Sequence, residues 1–197
     1  MKKTYRISPG TGVVRTLLLA LLIAGIVSCS NNSASLQTKI DSLQAELKKV
    51  TDEKAMIEAH LIRFDSLDFD VYSHAQWDLL GVSHDDNIIV TYPDGHQTTD
   101  IKAHIEELKP MFVFAPDTRI VEHPIRFGSG DWTCVTGYIL GTFSKPMPVG
   151  NGKTIPATGK TFKLPMCTVG HWKNGKMIAE NLYWDNQTFM KQIGLAK

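Results

Sequence analysis

The sequence "HWKNGKMIAENLYWD", residues 171–185, predicts two antiparallel strands joined by a tight turn. Asn-Gly between alternating residues is the strongest short-range hairpin signal, because both residues tolerate the positive φ angles that such a turn requires. The hairpin carries His171 at one end and Asp185 at the other, and both side chains can transfer protons. This hairpin therefore predicts the end of a sheet and raises the question whether its two ends form a site.

The residues around this hairpin predict the rest of an antiparallel sheet. Apolar residues alternate with a period of two, which is typical of half-buried strands. A Gly/Pro-rich loop over 144–160 interrupts them, and the helix "NQTFMKQIGL" (186–195) closes the chain. The further predicted strands are "TRIVEHPIRF" (118–127), "WTCVTGYILGTF" (132–143) and "TFKLPMCTVGHW" (161–172).

Helices precede the sheet. The stretches "SLDFDVYSHAQWDLL" (66–80) and "TDIKAHIEELKPMF" (99–112) have helical periodicity, with Thr99 or Asp100 as the cap of the second, and "NIIVTY" (87–92) is a short strand between them. Helices followed by an antiparallel meander predict an α+β domain over residues 62–197, with helices on one face of a twisted, four-stranded sheet. A pocket is expected between the two layers.

The first 28 residues predict a secretory signal peptide. They combine a basic start with the short apolar run "TLLLALLIAGIV", and the sequence "IVSC" ends at Cys29. Cys after "IVS" resembles a bacterial lipobox, which predicts cleavage before Cys29 and its acylation; the alternative is an ordinary signal peptide with an incidental Cys. Ser30 rather than Asp follows, which favours the outer over the inner membrane of the bacterial cell envelope.

A tether and a stalk separate this signal from the domain. Residues 29–35 are small and polar, as in flexible linkers. Over 36–61, apolar residues recur at alternating steps of four and three, and Lys54 occupies the one polar position in that stripe. The stripe predicts either a coiled-coil homodimer or a helix whose C-terminal half packs on its own domain.

Composition sets limits on the binding partners. Apolar residues make up 43% of the 197 residues, which is enough for a globular core. The chain has 21 basic and 20 acidic residues; removing residues 1–28, which hold four basic and no acidic side chains, changes the net charge from +1 to −3. No basic excess remains for nucleic acid, so none is expected as a partner.

The C-terminal half resembles a known family. Residues from about 111 to 195 contain "MFVFAPD", "GDWTCVTGYILGTF", "PATGK", "NGKMIAENLYWD" and "FMKQIGLA", and in this order and spacing they resemble the SnoaL-like polyketide cyclases (ester cyclases) of the NTF2-like superfamily. The resemblance implies an α+β cone with an apolar cavity, often dimerised through its sheet. It implies no metal and no organic cofactor.

The resemblance also implies catalytic residues. In these cyclases an Asp near the C-terminus is the general acid/base of an aldol closure and a His assists; the matching residues are Asp185 and His171. A catalytic Asp185 should be partly buried with a raised pKa, whereas an Asp185 that caps the last helix should have a lowered pKa. If Phe162, Leu164 and Met166 line the pocket, strand alternation turns His171 outward.

Other residues are candidates for the cavity wall or for separate sites. Ligand-binding candidates are His123, Trp77, Trp132, Tyr138, Met166 and Tyr183, with a satisfied core histidine as the alternative for His123. "SHDDN" (83–87) has no second His at a metal-binding spacing, so we interpret it as a solvated turn. Cys134 and Cys167 lie on strands that could be neighbours, and either a disulfide or two buried thiols would fit.

Two classes of function follow from these observations. The first is a membrane-anchored domain that binds a small apolar ligand in its cavity, and the sequence favours it slightly. The alternative is a cofactor-free cyclase, isomerase or hydrolase that uses Asp185 and His171. The enzyme requires a buried carboxylate beside a hydrogen-bond donor, whereas the binding protein requires only the cavity.

Overall fold

The computed structural model describes residues 11–197, with side chains from Ser33 onward. The predicted signal peptide and the lipidation residue Cys29 lie outside the residues whose side chains are described. Signal cleavage and lipidation therefore stay predictions. The contacts divide the chain into two units after Asp52.

The helices form where the periodicity predicted them, but one predicted α-helix consists of two helical turns of other types. Asp100 caps helix α2 (Ile101–Phe114) by accepting hydrogen bonds from the backbone N–H groups of Lys102 and Ala103, as predicted. The stretch 66–80 is not one α-helix: it is a π-helical turn followed by a 3-10 turn. The bounds are α1 Thr11–Ser66, the π-helical turn Leu67–Tyr72, the 3-10 turn Trp77–Val82, α2 Ile101–Phe114 and α3 Asn186–Gln192.

The strands are β1 His84–Thr91, β2 Gln97–Thr98, β3 Ile125–Ser129, β4 Trp132–Thr142, β5 Met147–Pro148, β6 Thr154–Ile155, β7 Thr161–Lys173 and β8 Lys176–Trp184. Six of them form the main sheet within residues 11–197, in the order β2-β1-β8-β7-β4-β3. The prediction of four strands was too low because β1 pairs in parallel with β8 and carries β2 on its other edge. The other two, β5 and β6, form a separate hairpin within the predicted Gly/Pro loop.

The Asn-Gly hairpin forms as predicted. Asn174 and Gly175 have φ angles of 53° and 75° and connect β7 to β8. The register shifts just beyond the turn, where His171 pairs with Ala179 but Trp172 pairs with Met177. This bulge places one extra residue in β8, and strand alternation cannot be carried through it.

The core lies on the face of the sheet that the helices cover. Along β4 and β7 buried residues alternate with exposed or half-buried ones. Phe64 from the end of α1 is fully buried in one hydrophobic cluster with Trp172, and Phe114 from α2 is buried in a second with Phe143 and Leu164. The predicted strand 118–127 is shorter than expected, since only residues from Ile125 onward form β3.

The apolar stripe of α1 has two different environments. Its early residues are exposed, and its late residue Leu61 is buried while Ile57 packs against the core of the second unit. The last two positions of the stripe, Ile57 and Leu61, therefore pack on the domain, in agreement with the second alternative. The coiled-coil homodimer stays a prediction. The exposed stripe residues are Leu36, Ile40, Leu43, Leu47 and Val50.

Within the part of the chain that the structure describes, no helix is both long and apolar enough to span a membrane.

Candidate functional site

A cavity of about 250 Å³ lies between the helices and the sheet of the globular unit. Most of its wall is apolar, and exposed polar residues such as His96 and Glu107 mark its opening. The apolar wall includes Leu67, Tyr72, Leu80, Leu108, Met111, Ile120, Ile139, Met166, Leu182 and Trp184. Buried polar residues also reach the wall: Asp68, His84, Tyr92, His104, Thr168 and Glu180.

Three of these polar residues converge from different elements, and we call them the His-Glu cluster: His84, His104 and Glu180. His84 begins β1, His104 lies on α2, and Glu180 lies on β8. The Nε2 atoms of His84 and His104 lie 3.5 and 3.6 Å from Glu180 Oε2. All three side chains are buried. A carboxylate thus lies between two imidazoles inside the domain, where its charge is poorly solvated.

Two hydroxyl groups orient the histidine rings. His84 Nδ1 is 2.8 Å from Ser83 Oγ, and His104 Nδ1 is 2.8 Å from Tyr92 Oη. Each ring therefore directs its Nε2 toward Glu180. The Nε2 of His84 is buried and has no hydrogen-bond partner among the described residues.

Burial and the neighbouring charges shift the pKa values of His104 and Glu180. Burial lowers the pKa of His104 to about 4, although the charge of Glu180 opposes this change. Burial alone would raise the pKa of Glu180, but its interactions with His84 and His104 outweigh burial and leave the pKa below its ordinary value. Glu180 is therefore ionised at neutral pH and presents a negative charge within a mostly apolar cavity.

A second polar group begins at Asp68 in the cavity wall. Asp68 Oδ2 is 2.8 Å from His123 Nε2, and His123 Nδ1 is 2.7 Å from Asp65 Oδ1. Arg126 completes this Asp68–His123–Asp65 chain by donating to Asp65 Oδ2 at 2.9 Å and to Glu58. Asp65 is more exposed than Asp68, so the hydrogen bonds lead from the cavity toward the surface.

This chain contains two groups with raised pKa values. Burial raises the pKa of Asp68, and the hydrogen bond from His123 only partly offsets it. For His123, burial would lower the pKa, but the hydrogen bonds and charges of Asp68 and Asp65 together raise it. A carboxyl group that is buried in a cavity wall and hydrogen-bonded to an imidazole can act as a proton donor or acceptor.

The model of one protein family covers most of this unit: the SnoaL-like polyketide cyclase family matches residues 66–193. The chain belongs to this family. No protein of curated function matches the sequence significantly.

Solved structures agree with the fold of a SnoaL-like domain. A SnoaL-like polyketide cyclase candidate from Jannaschia sp. CCS1 aligns with a TM-score of 0.62 at 16% identity, over 72% of this chain and 96% of that chain. IdmH, a polyketide cyclase candidate from Streptomyces antibioticus, aligns with a TM-score of 0.57 at 17% identity, over 68% and 98%.

A third similar structure is described as having a ketosteroid isomerase-like fold. A protein of ketosteroid isomerase-like fold from Catenulispora acidiphila, in complex with trimethylamine, aligns with a TM-score of 0.52 at 13% identity, over 64% and 87%. Such identities establish the fold alone, which is the NTF2-like α+β cone that the sequence predicted.

In this SnoaL-like domain, Asp185 does not lie in the cavity. It is exposed, and it caps α3 by accepting hydrogen bonds from the Gln187 backbone N–H at 2.9 Å and the Thr188 hydroxyl at 2.7 Å. These hydrogen bonds lower its pKa. The expectation of a partly buried Asp185 is wrong, and the helix-cap alternative is correct. Asp185 borders a surface groove that shares Pro93, Met166 and Trp184 with the cavity wall.

His171 lies on the opposite face of the sheet from the cavity. Its ring stacks on Trp132 with the centroids 4.1 Å apart. The physical reason is strand alternation, since Phe162, Leu164 and Met166 are buried and odd-numbered residues of β7 point away. The structure therefore does not bring His171 and Asp185 together at the cavity, which corrects the catalytic pair that the resemblance implied.

Among the predicted ligand-binding residues, Met166 lies in the cavity wall. Trp132, Tyr138 and Tyr183 lie on the outer face, where Trp132 is 45% and Tyr183 54% exposed, because β4 and β8 place alternate residues there. Lys163 Nζ covers the Tyr138 ring at 4.0 Å. These three assignments to the cavity are wrong.

The other two candidates lie behind the cavity wall. Trp77 packs edge-on against Tyr72 and Phe112, with ring centroids 6.3 and 5.3 Å away. His123 has a buried ring that reaches the cavity only through Asp68. The core alternative for His123 is therefore correct, with two aspartates as the partners that satisfy it.

The sequence reasoning missed the polar residues that do line the cavity. Interpreting 83–87 as a solvated turn was wrong, since Ser83 and His84 are buried and the segment begins β1. Glu180 did carry a signal, because it alternates with Leu182 and Trp184 on the face opposite Tyr183. His104 gave no such signal, since its position on α2 alone does not indicate a cluster.

Cys134 and Cys167 are neighbours across β4 and β7. Their sulfurs are 3.6 Å apart, and both are free thiols in this structure. Burial and the neighbouring Cys134 raise the pKa of Cys167 to about 11. Of the two alternatives that the sequence left open, the pair of thiols is the one present here.

Proposed function

We propose that this domain binds a small, largely apolar molecule that carries an oxygen atom. The cavity supports the proposal most directly: its wall is mainly apolar and holds a few buried polar side chains, which is the usual composition of a small-molecule site. A volume of about 250 Å³ suits a compound of one or two rings. The buried Tyr92, His104 and Asp68 offer groups that can bond to a carbonyl or hydroxyl oxygen.

Proton transfer to a bound carbonyl compound is the second candidate function. The observation that favours it is Asp68, a cavity carboxyl whose pKa is raised by burial. His123 holds this carboxyl by a 2.8 Å hydrogen bond and connects it to the more exposed Asp65. Asp68 could take a proton from the carbon beside a carbonyl group, the Asp68–His123–Asp65 chain would exchange that proton with solvent, and Asp68 would return a solvent-derived proton to the same carbon. Asp68 replaces Asp185 as the proposed acid/base.

A matched pair of bicyclic probes tests the binding proposal. The ketone 1-tetralone should bind about fivefold more tightly than the hydrocarbon tetralin, since one buried hydrogen bond contributes about 1 kcal/mol. Calorimetric titration of the purified protein would measure both affinities. Met166→Trp should fill the cavity and abolish binding, whereas Lys163→Trp, on the outer face of the same strand, should preserve it.

The same samples distinguish binding from proton transfer. In heavy water, an acid/base at the cavity would exchange the protons beside the carbonyl of 1-tetralone, and NMR would show their loss. Asp68→Asn should stop this exchange while tetralone still binds. Equal affinity for the ketone and the hydrocarbon would contradict recognition of the oxygen atom. Unchanged binding by a folded Met166→Trp variant would contradict the cavity as the binding site.

We also propose that a lipid on Cys29 anchors the domain to the bacterial cell envelope, with the outer membrane favoured. The support is the basic and apolar sequence that ends in "IVSC". Cys29→Ala should abolish fatty-acid labelling and release the protein from the membrane fraction. Cys134→Ala is the matched control and should leave labelling intact, and a labelled Cys29→Ala variant would exclude this anchor.

A further inference from the structure

We propose that His84, His104 and Glu180 bind a divalent transition-metal ion, with Zn²⁺ as the first candidate. Two imidazoles and one carboxylate are a recurrent ligand set for zinc and for other transition metals that keep an open coordination position. The three ligand atoms lie within 4.8 Å of one another. This inference goes beyond the organic ligand proposed above, and neither proposal depends on the other.

The distances within the His-Glu cluster fit a shared metal ion better than direct hydrogen bonds. The two histidine Nε2 atoms are 3.5 and 3.6 Å from Glu180 Oε2. A charge-assisted hydrogen bond between such groups would be about 2.7–2.9 Å long. Two ligands that are each about 2.0–2.2 Å from a tetrahedral zinc ion lie about 3.3–3.6 Å apart. The two His–Glu separations fall at that second value, and all three ligand atoms lie within 4.8 Å of one another.

Burial supplies an independent reason for a cation at this point. The His84 side chain is 1% exposed, and its Nε2 has no hydrogen-bond partner among the described residues. An unpaired nitrogen lone pair beside a buried carboxylate is costly, because both side chains are buried. A metal ion would bond to both and would neutralise the carboxylate charge.

The hydroxyl partners resemble the outer shell of a metal site. Ser83 Oγ and Tyr92 Oη each lie 2.8 Å from the Nδ1 atom of a cluster histidine. A metal-binding histidine usually donates its other ring N–H to such a partner, which fixes the tautomer and directs the free lone pair at the metal. Both rings then present Nε2 as the ligand atom.

The site would leave one coordination position toward the cavity. All three ligands line the cavity wall. A zinc ion with three protein ligands binds water or a substrate oxygen at its fourth position and polarises it. A metal bound here would therefore face the same space that a small oxygen-containing molecule would occupy.

Metal titration of the full chain, purified in detergent and treated with a chelator, tests the inference without any organic ligand. Calorimetry with Zn²⁺ should give one site per chain. His104→Gln and Glu180→Gln should each weaken binding at least about 100-fold, and Tyr92→Phe about 10-fold. His74→Gln is the matched control, since His74 is an exposed histidine outside the cluster. Zn²⁺ should also raise the unfolding temperature of the wild-type protein but not of Glu180→Gln.

Co²⁺ spectra keep the test decisive if a variant fails to fold. The wild-type protein with Co²⁺ should show the visible bands of a four-coordinate site with nitrogen and oxygen ligands. Thiolate bands would instead assign the metal to Cys134 and Cys167 and would overturn the proposal. So would the absence of Zn²⁺ binding by the wild type, or full binding by a His84→Gln, His104→Gln double variant. Loss of tetralone binding alone would overturn only the proposed function.

Discussion

Replacing Trp172 with alanine is expected to lower the free energy of unfolding by about 3–5 kcal/mol, the range for a large aromatic side chain removed from a core. Trp172 is 1% exposed. Its ring stacks on His60 with the centroids 4.7 Å apart, and its Nε1 donates to Thr133 Oγ1 at 2.8 Å. The substitution would leave both a cavity and an unpaired buried hydroxyl, so the two losses act together. Urea denaturation followed by circular dichroism would measure the change.

Trp132→Ala is the matched control for this prediction. Trp132 lies on the neighbouring strand but on the outer face, is 45% exposed, and stacks on His171. Its removal should cost about 1 kcal/mol or less, because little surface is newly exposed and no cavity forms. Similar losses in the two variants would contradict the assignment of the core to the face that the helices cover.

Replacing His123 with alanine is expected to lower the free energy of unfolding by about 3–5 kcal/mol at neutral pH, the range for removing one partner of a buried ion pair. Asp68 would lose its 2.8 Å hydrogen bond and remain buried, and Asp65 would keep only Arg126. The double variant Asp68→Asn, His123→Ala should lose less than the sum of the two single variants, since the uncompensated charge is absent.

The loss in His123→Ala should depend on pH. The folded pKa of His123 is raised above 6.5, so, while Asp68 is ionised, the protonated ring stabilises the folded state below pH 6.5 and this contribution is lost as pH rises through the folded pKa. The folded pKa of Asp68 is also raised, so protonation relieves its burial at acid pH. The charged groups around His123 are Asp65 and Asp68, with Arg126 and Glu58 beyond Asp65.

Comparing wild type and His123→Ala across pH checks the sign of both shifts. The difference in unfolding free energy should be smallest at acid pH, where Asp68 carries a proton in both proteins. It should grow as Asp68 ionises and decrease again above the folded pKa of His123. A difference that stays constant from acid to alkaline pH would exclude the ion pair as the cause.

Several features of the fold were predictable because they depend on near neighbours in the chain. The Asn174-Gly175 turn follows from two residues that accept positive φ, and the cap of α2 follows from Asp100. Alternation along β7 also predicted that His171 would point away from the face of Met166. These patterns act over a few residues, so the sequence alone determines them.

The candidate site depends on contacts that no local pattern contains. His84, His104 and Glu180 come from β1, α2 and β8, and they meet only because β1 pairs in parallel with β8 while α2 packs over the same face. That pairing joins segments almost a hundred residues apart in the chain, and its register cannot be derived from either segment alone.

The hairpin formed by β7 and β8 shows both the features that local sequence determines and those that long-range pairing determines. Residues 171–185 determine by themselves that a hairpin forms and where it turns. The bulge beyond the turn breaks the alternation in β8, so that Met177 and Glu180 are both buried although they are three residues apart. Asp185 is left just before α3, where the Gln187 backbone N–H and the Thr188 hydroxyl donate to it. Local periodicity determined the secondary structure, whereas long-range pairing and one extra residue in β8 decided which side chains reach the cavity.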